Sequence, residues 1–211
     1  MARYTVDYEA DYEERRNRLT TFFRLLLVLP HALLMAALSI AYVVVVVLAW
    51  FAIVFTGRLP AGMYGFITGF LRLGTQVAAY AMLVTDRFPP FSLSAGDHPV
   101  RVVAPPAPKD RYDRLRAGFR FLLVIPWAIV SQAYMYVAYL AAIGSWFAIV
   151  FTGRQPPVLQ KGLHMGLSAQ LHYTAYGSLV AEEWPPFEPE LRLEPRAQLP
   201  AGPEAPSLTA V

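Results

Sequence analysis

A nine-residue stretch, WFAIVFTGR, fills positions 50–58 and returns unchanged at 146–154. The offset is 146 − 50 = 96 residues, and it holds without a gap on both sides. Arg18-Leu19 matches Arg114-Leu115, Phe23-Arg24 matches Phe119-Arg120, and Leu26-Leu27-Val28 matches Leu122-Leu123-Val124. Pro30 matches Pro126, Pro60 matches Pro156, Ala79-Tyr80 matches Ala175-Tyr176, and Leu83-Val84 matches Leu179-Val180. Pro89-Pro90-Phe91 closes the first unit as Pro185-Pro186-Phe187 closes the second. A period this long suits a duplicated subdomain rather than a solenoid. The copies keep the same order and flanking charges, which predicts parallel rather than inverted repeats. The chain divides into a first repeat over 1–93, a linker over 94–109, a second repeat over 110–193 and a tail over 194–211. The tail is rich in Pro, Ala and Gly and is predicted to be disordered.

The chemistry of the repeat is that of a bilayer. Of the 211 residues, 56% are hydrophobic and 16% charged, with a mean hydropathy of +0.39. Soluble domains carry about a quarter charged residues. There is no cysteine, which excludes disulfides and thiolate metal sites. The net charge of +3 comes without a basic stripe outside the membrane flanks, so nucleic acid is not an expected partner. The first apolar run starts at Leu25, is too long for a signal-peptide core and has no small-residue cleavage site behind it. It is expected to serve as its own uncleaved insertion signal.

Each unit predicts the same elements. Residues 11–24 mix Asp11, Glu13, Glu14, Arg15, Arg16, Arg18 and Arg24 with Leu19, Phe22 and Phe23, as a helix lying along a membrane surface does. Residues 110–120 repeat this with Arg111, Arg114, Arg116 and Arg120. From Leu25 to Thr56 the sequence is apolar apart from Pro30 and His31, a run of 56 − 25 + 1 = 32 residues. As one helix it would measure about 48 Å, against a hydrocarbon core of about 30 Å. Proline suits the first turn of a new helix, so the prediction is an interfacial helix to Leu29 and a span over 30–55. The second unit repeats this over 126–151. Gly57 and Gly153 are expected at left-handed cap positions, with Pro60 and Pro156 forbidding continuation. Residues 63–85 and 163–181 then return across the membrane. Gly65, Gly69, Arg72, Gln76 and Ala79 share one helical face, as do His164, Ser168, His172 and Ala175. Polar faces in spans turn to the bundle interior, so these second helices are expected to be the inner ones. The competing reading is a helix lying in the membrane plane. Short alternating runs at 3–8, 100–104 and 191–193 predict small strands outside the membrane, or else extended tail and linker.

Lysine and arginine set the orientation. Residues 1–24 hold five and the connection 86–120 holds seven, against one in the turn 56–62 and two in the turn 152–162. The positive-inside rule then places both termini and the central connection in the cytoplasm and both turns outside. The fold expected is an all-α membrane protein with four transmembrane helices: two tandem hairpins, each preceded by an interfacial helix, with short cytoplasmic strands.

With R-x-x-x-[FL]-L-L-V-x-P, WFAIVFTGR and the exit D-R-F-P-P-F in place, the chain resembles domain-of-unknown-function family 4389, a family of bacterial integral membrane proteins. The resemblance covers residues 4–193. The second copy departs from it where Glu182-Glu183-Trp184 replaces Asp86-Arg87-Phe88. The resemblance implies a multi-pass protein of the bacterial plasma membrane and offers no catalytic residue to carry over.

No reaction motif is present, and an enzyme is not expected. His164 and His172 lie two turns apart, whereas metal-binding pairs on a helix are one turn apart, so no metal or other cofactor is expected. Asp86 and Glu182 are repeat-equivalent and read as solvated boundary residues. Arg58 and Arg154 are candidate contacts for lipid phosphate or another anion, with helix capping as the plainer role. Arg72, Gln76, His164, Ser168 and His172 form a candidate intramembrane polar site, since a mid-span arginine is costly. Membrane lipids are the expected partners, with other membrane proteins or self-association beside them. The function expected is a structural or lipid-interacting component of the cell envelope or of a membrane assembly. The alternative is a small transporter or channel with a path between the second helices.

Overall fold

The computed structural model describes residues 6–11, 14–94 and 96–186. The order is β1 (Asp7–Ala10), α1 (Arg18–Phe22), α2 (Arg24–Thr56), α3 (Ala61–Ala81), β2 (Val100–Val103), α4 (Arg114–Gly118), α5 (Arg120–Thr152) and α6 (Pro157–Gly177). The expected run at 191–193 and the tail lie outside the described residues.

Each repeat opens with a short capped helix. The Asn17 carboxamide oxygen accepts from the amides of Leu19 and Thr20, and the Asp113 carboxylate does the same for Leu115 and Arg116. The break between this short helix and the long one falls at Phe23 and Phe119, where ψ turns to 10° and 7°. It does not fall at Pro30. α2 runs unbroken for 33 residues with Pro30 inside it, and α5 does the same with Pro126. A proline removes one ladder bond from a helix interior. Here the packing next to it holds the helix: His31 is fully buried, stacked on Phe91 at 4.0 Å and edge-on to Phe88 at 4.6 Å. α2 ends as its sequence predicts. Gly57 has φ +71°, Gly153 has φ +73°, and their amides close on Ile53 and Ile149 at 2.7 Å. α3 and α6 end on Leu83 and Leu179 at φ +66° and +69°, a left-handed conformation on buried leucines.

β1 and β2 pair antiparallel, with Asp7 opposite Val103 and Ala10 opposite Val100. Asp7 and Val103 are themselves repeat-equivalent, since 103 − 7 = 96. A pseudo-twofold axis therefore pierces the ribbon between them. Beneath the ribbon, α3 touches β2, α6 touches β1, and α3 touches α6. The third layer is α2 and α5. On α3, Gly69, Arg72 and Gln76 fall within about 60° of one another and meet the segments above. Phe70, stacked on Tyr42 at 4.2 Å, and Gly74, facing Met35, lie on the opposite side. α3 and α6 thus form the middle layer, with the polar face of α3 turned to the ribbon and its connections. About half of α6 is buried, and its Gly166 leaves no room for a Cβ, which would stand 2.4 Å from that of Ala138.

α2 and α5 run antiparallel across the axis. The start of α2, at Arg24 and Leu25, faces Ala142 to Phe147 near the end of α5. The far half of α2, at Tyr42 to Trp50, faces Arg120 to Val124 at the start of α5. Trp50 donates to the Ala117 carbonyl at 2.9 Å, and Phe22 lies 6.1 Å from Trp146.

Each turn is therefore closed by the other repeat. The Tyr112 amide donates to the Gly57 carbonyl at 2.9 Å, the Arg16 amide to Gly153 at 3.1 Å, and the Gln155 amide to Glu14 at 2.9 Å. The expected topology sets these turns apart from the arginine-rich connection, whereas the structure hydrogen-bonds them to one another. Among the described residues two helices, α2 and α5, are long and apolar enough to cross a membrane by length and composition, and the four spans expected are not confirmed.

Candidate functional site: a polar seam and two arginine corners

Three of the five candidate polar residues, Arg72, Gln76 and His164, meet the ribbon and its connections. Arg72 donates from Nη1 to the Leu93 carbonyl at 3.1 Å. Beside it a Cβ on Gly69 would stand 2.9 Å from the same oxygen, so glycine lets that strand of connection lie flat on α3. Gln76, buried, donates from Nε2 to the Val100 carbonyl of β2 at 3.1 Å. His164, buried on α6, places Nδ1 3.1 Å from the Tyr8 hydroxyl of β1 and Nε2 3.1 Å from Gln160 Nε2. Ser168 and His172 are buried further along the same helix. Gln76 and His164 thus come together under the ribbon as its two anchors, one per strand, while Arg72 binds a different segment to one side. The arginine lies on the polar face of a covered helix, which removes the cost of a cation in lipid.

The second feature lies at the ends of α2 and α5. Arg58 and Arg154 are exposed, as a headgroup contact requires. Arg58 lines an open hollow of about 520 Å³ with Thr56, Asp110 and Arg111. Arg114 Nε lies where a Cβ on Gly57 would come within 3.2 Å of it, and Arg18 Nε stands likewise at Gly153 at 3.0 Å. Arg15 forms a backbone bridge with Arg154, whose Nε is 4.0 Å from Glu14 Oε1. α2 therefore ends among Arg58, Arg111 and Arg114, and α5 among Arg154 and Arg18 with the Arg15 backbone beside them. The negative end of each helix favours them there.

Sequence reasoning missed a third pair. Arg24 and Arg120 read as membrane-flanking charges, yet both are buried. Arg24 donates from Nη1 to the carbonyls of Tyr80 at 3.2 Å and Thr85 at 2.8 Å, pairs with Asp86, and lies 4.2 Å over the Tyr80 ring. Arg120 donates to the Ala181 carbonyl at 2.9 Å and lies 4.1 Å over Tyr176. Asp86 and Glu182 are accordingly structural acceptors rather than solvated boundary residues. Asp86 accepts from the Asn17 amide at 2.8 Å, and Glu182 from the Asp113 amide at 2.8 Å and from Lys109 at 3.0 Å. The usable signal was the exact repetition of Phe-Arg ahead of the long helix, since a mere flanking charge needs no fixed place.

Between the repeats, two apolar clefts open beside these buried arginines. One, of about 520 Å³, lies between Trp50 and Phe121. Its pseudo-twofold mate, of about 270 Å³, lies between Leu25 and Trp146.

A family model described as a domain of unknown function (DUF4389) matches the chain twice, at residues 18–92 and 114–188. No curated protein and no solved structure matches it.

Proposed function

This chain belongs to the DUF4389 family as two tandem copies of that domain, and from that premise we propose that it is a lipid-interacting, structural protein of the bacterial plasma membrane rather than an enzyme. One observation carries the reading. Large apolar side chains stand exposed along the whole of α2 and α5, among them Leu25, Leu33, Ile40, Phe55, Ile129 and Phe151, each at least 68% exposed. Burying such a side chain is worth about 1.5–3 kcal/mol, and an uninterrupted band of them needs a non-aqueous partner. Lipid supplies one along the helices, and anionic headgroups match the arginine corners. The termini are assigned to the cytoplasm on the weight of their arginines. The transporter alternative has less support, because the polar side chains of α3 and α6 are engaged by β1, β2 and Leu93. Alkaline carbonate washing of membranes tests the proposal: the protein should stay in the pellet and be released by detergent. Release by carbonate alone would overturn it.

A further inference from the structure

We infer that the protein sits in a single leaflet, with α2 and α5 lying antiparallel in the membrane plane and the pseudo-twofold axis along the membrane normal. The inference rests on the membrane reading above and adds how the molecule is inserted.

The position of the ribbon requires it. Arg72, which carries the Leu93 segment, lies in the middle of α3, Gln76, which carries β2, lies more than a turn inside its end, and His164, which carries β1, lies well inside α6. Beyond them stand charged groups: Arg101, 37% exposed, lies 3.7 Å from Glu9 and 3.4 Å from Asp11. Were α3 and α6 to cross a bilayer, this ribbon would face acyl chains at mid-depth, where charge is most costly. With the axis along the normal, the ribbon faces water and the α2/α5 layer faces hydrocarbon.

The dimensions agree. A helix with its side chains is about 10–12 Å thick, and one leaflet of hydrocarbon is about 15 Å, half of the full core. One layer of helices fills one leaflet. Upright, α2 would be about 50 Å long and would have to tilt by about 53° to fit a core of about 30 Å, beyond the usual range. In the plane, its length meets no limit. The arginine corners then lie at the two ends of the layer, within reach of anionic headgroups on the same surface. The repeats are parallel in the membrane sense, inserted from one side, although their helices are antiparallel.

The cysteine-free chain allows a direct test. Full-length Ala61→Cys, in the first turn, and Ala107→Cys, in the central connection, both stand at exposed positions. In sealed, oriented vesicles an impermeant maleimide should label both from the same face. Labelling from opposite faces would overturn the inference. Spin labels at Leu33→Cys, Ile40→Cys and Val47→Cys, on one exposed stripe of α2, should report the same depth within one leaflet. A depth profile that descends through the midplane and emerges on the far side would also overturn it. Carbonate extraction of the same variants separates the two failures. Opposite-face labelling of a carbonate-resistant protein sinks only the one-leaflet insertion, whereas a protein washed off by carbonate sinks the membrane reading beneath it.

Discussion

Gly57 and Gly153 show how far a single residue can be read. Both were expected to cap a helix in the left-handed region, and both do, at φ +71° and +73°. That conclusion was local: an apolar helix, then glycine, then proline within three residues. What the sequence could not supply is the guanidinium packed over each, from Arg114 and Arg18 of the opposite repeat. Gly57→Val should therefore suffer twice, through about 1–2 kcal/mol of left-handed backbone cost and through displacement of Arg114. Thermal unfolding in detergent should show a lower midpoint for Gly57→Val and little change for the exposed Arg58→Ala. Equal losses in the two variants would contradict the capping account. Arg24 illustrates the opposite case. Its burial depends on Tyr80, Thr85 and Asp86, some 60 residues away, and no local pattern announces a partner that distant. Arg72 looked costly for the same reason, because the covering segment at Leu93 is not adjacent in sequence.

At the scale of elements, existence was legible and continuity was not. The apolar periods over the long and the second helices located all four, and the weak alternation at 100–104 located β2. Proline's preference for a helix start does not decide the break, since Pro30 lies inside α2. In the fold the restart happens at Phe23, where Asn17 has already capped the preceding turn and the buried Arg24 fixes the new direction. The seats of these short helices depend on carboxylates. Burial works against the charged form of Glu182, but the Asp113 amide and Lys109 outweigh it and hold its carboxyl below the ordinary value of 4.5. A lowered folded value means that the charged form stabilises the fold at neutral pH. That contribution should begin to fall as the pH drops below 4.5 and vanish once the folded value is passed. Comparing unfolding of the parent chain with Glu182→Gln across this window checks it: the two stabilities should differ at pH 7 and converge in acid. A difference that grows on acidification would reverse the assignment.

At the scale of the molecule, the duplication was plain in the sequence and its geometry was not. An offset of 96 residues says that two units exist. It does not say that Asp7 will face Val103, or that each turn will be closed by the other unit's arm. Charge counting put those arms and turns on opposite sides of a membrane because it treats loops as independent. In the structure those loops are hydrogen-bonded to one another.

The exchange of arms across the axis makes the two halves interdependent. The Gly57 and Gly153 carbonyls each accept from a connecting segment belonging to the other half, so neither half alone can complete its own turn. Fragments 1–93 and 94–211, produced together as separate chains, should find each other and co-purify through a tag on either one. Each produced alone should be degraded or should pair with itself. Two halves that persist separately as protease-resistant monomers would disprove the dependence. A gene half this long would encode a subunit that closes only by clasping a copy of itself, and the present chain has the form of such a homodimer joined head to tail.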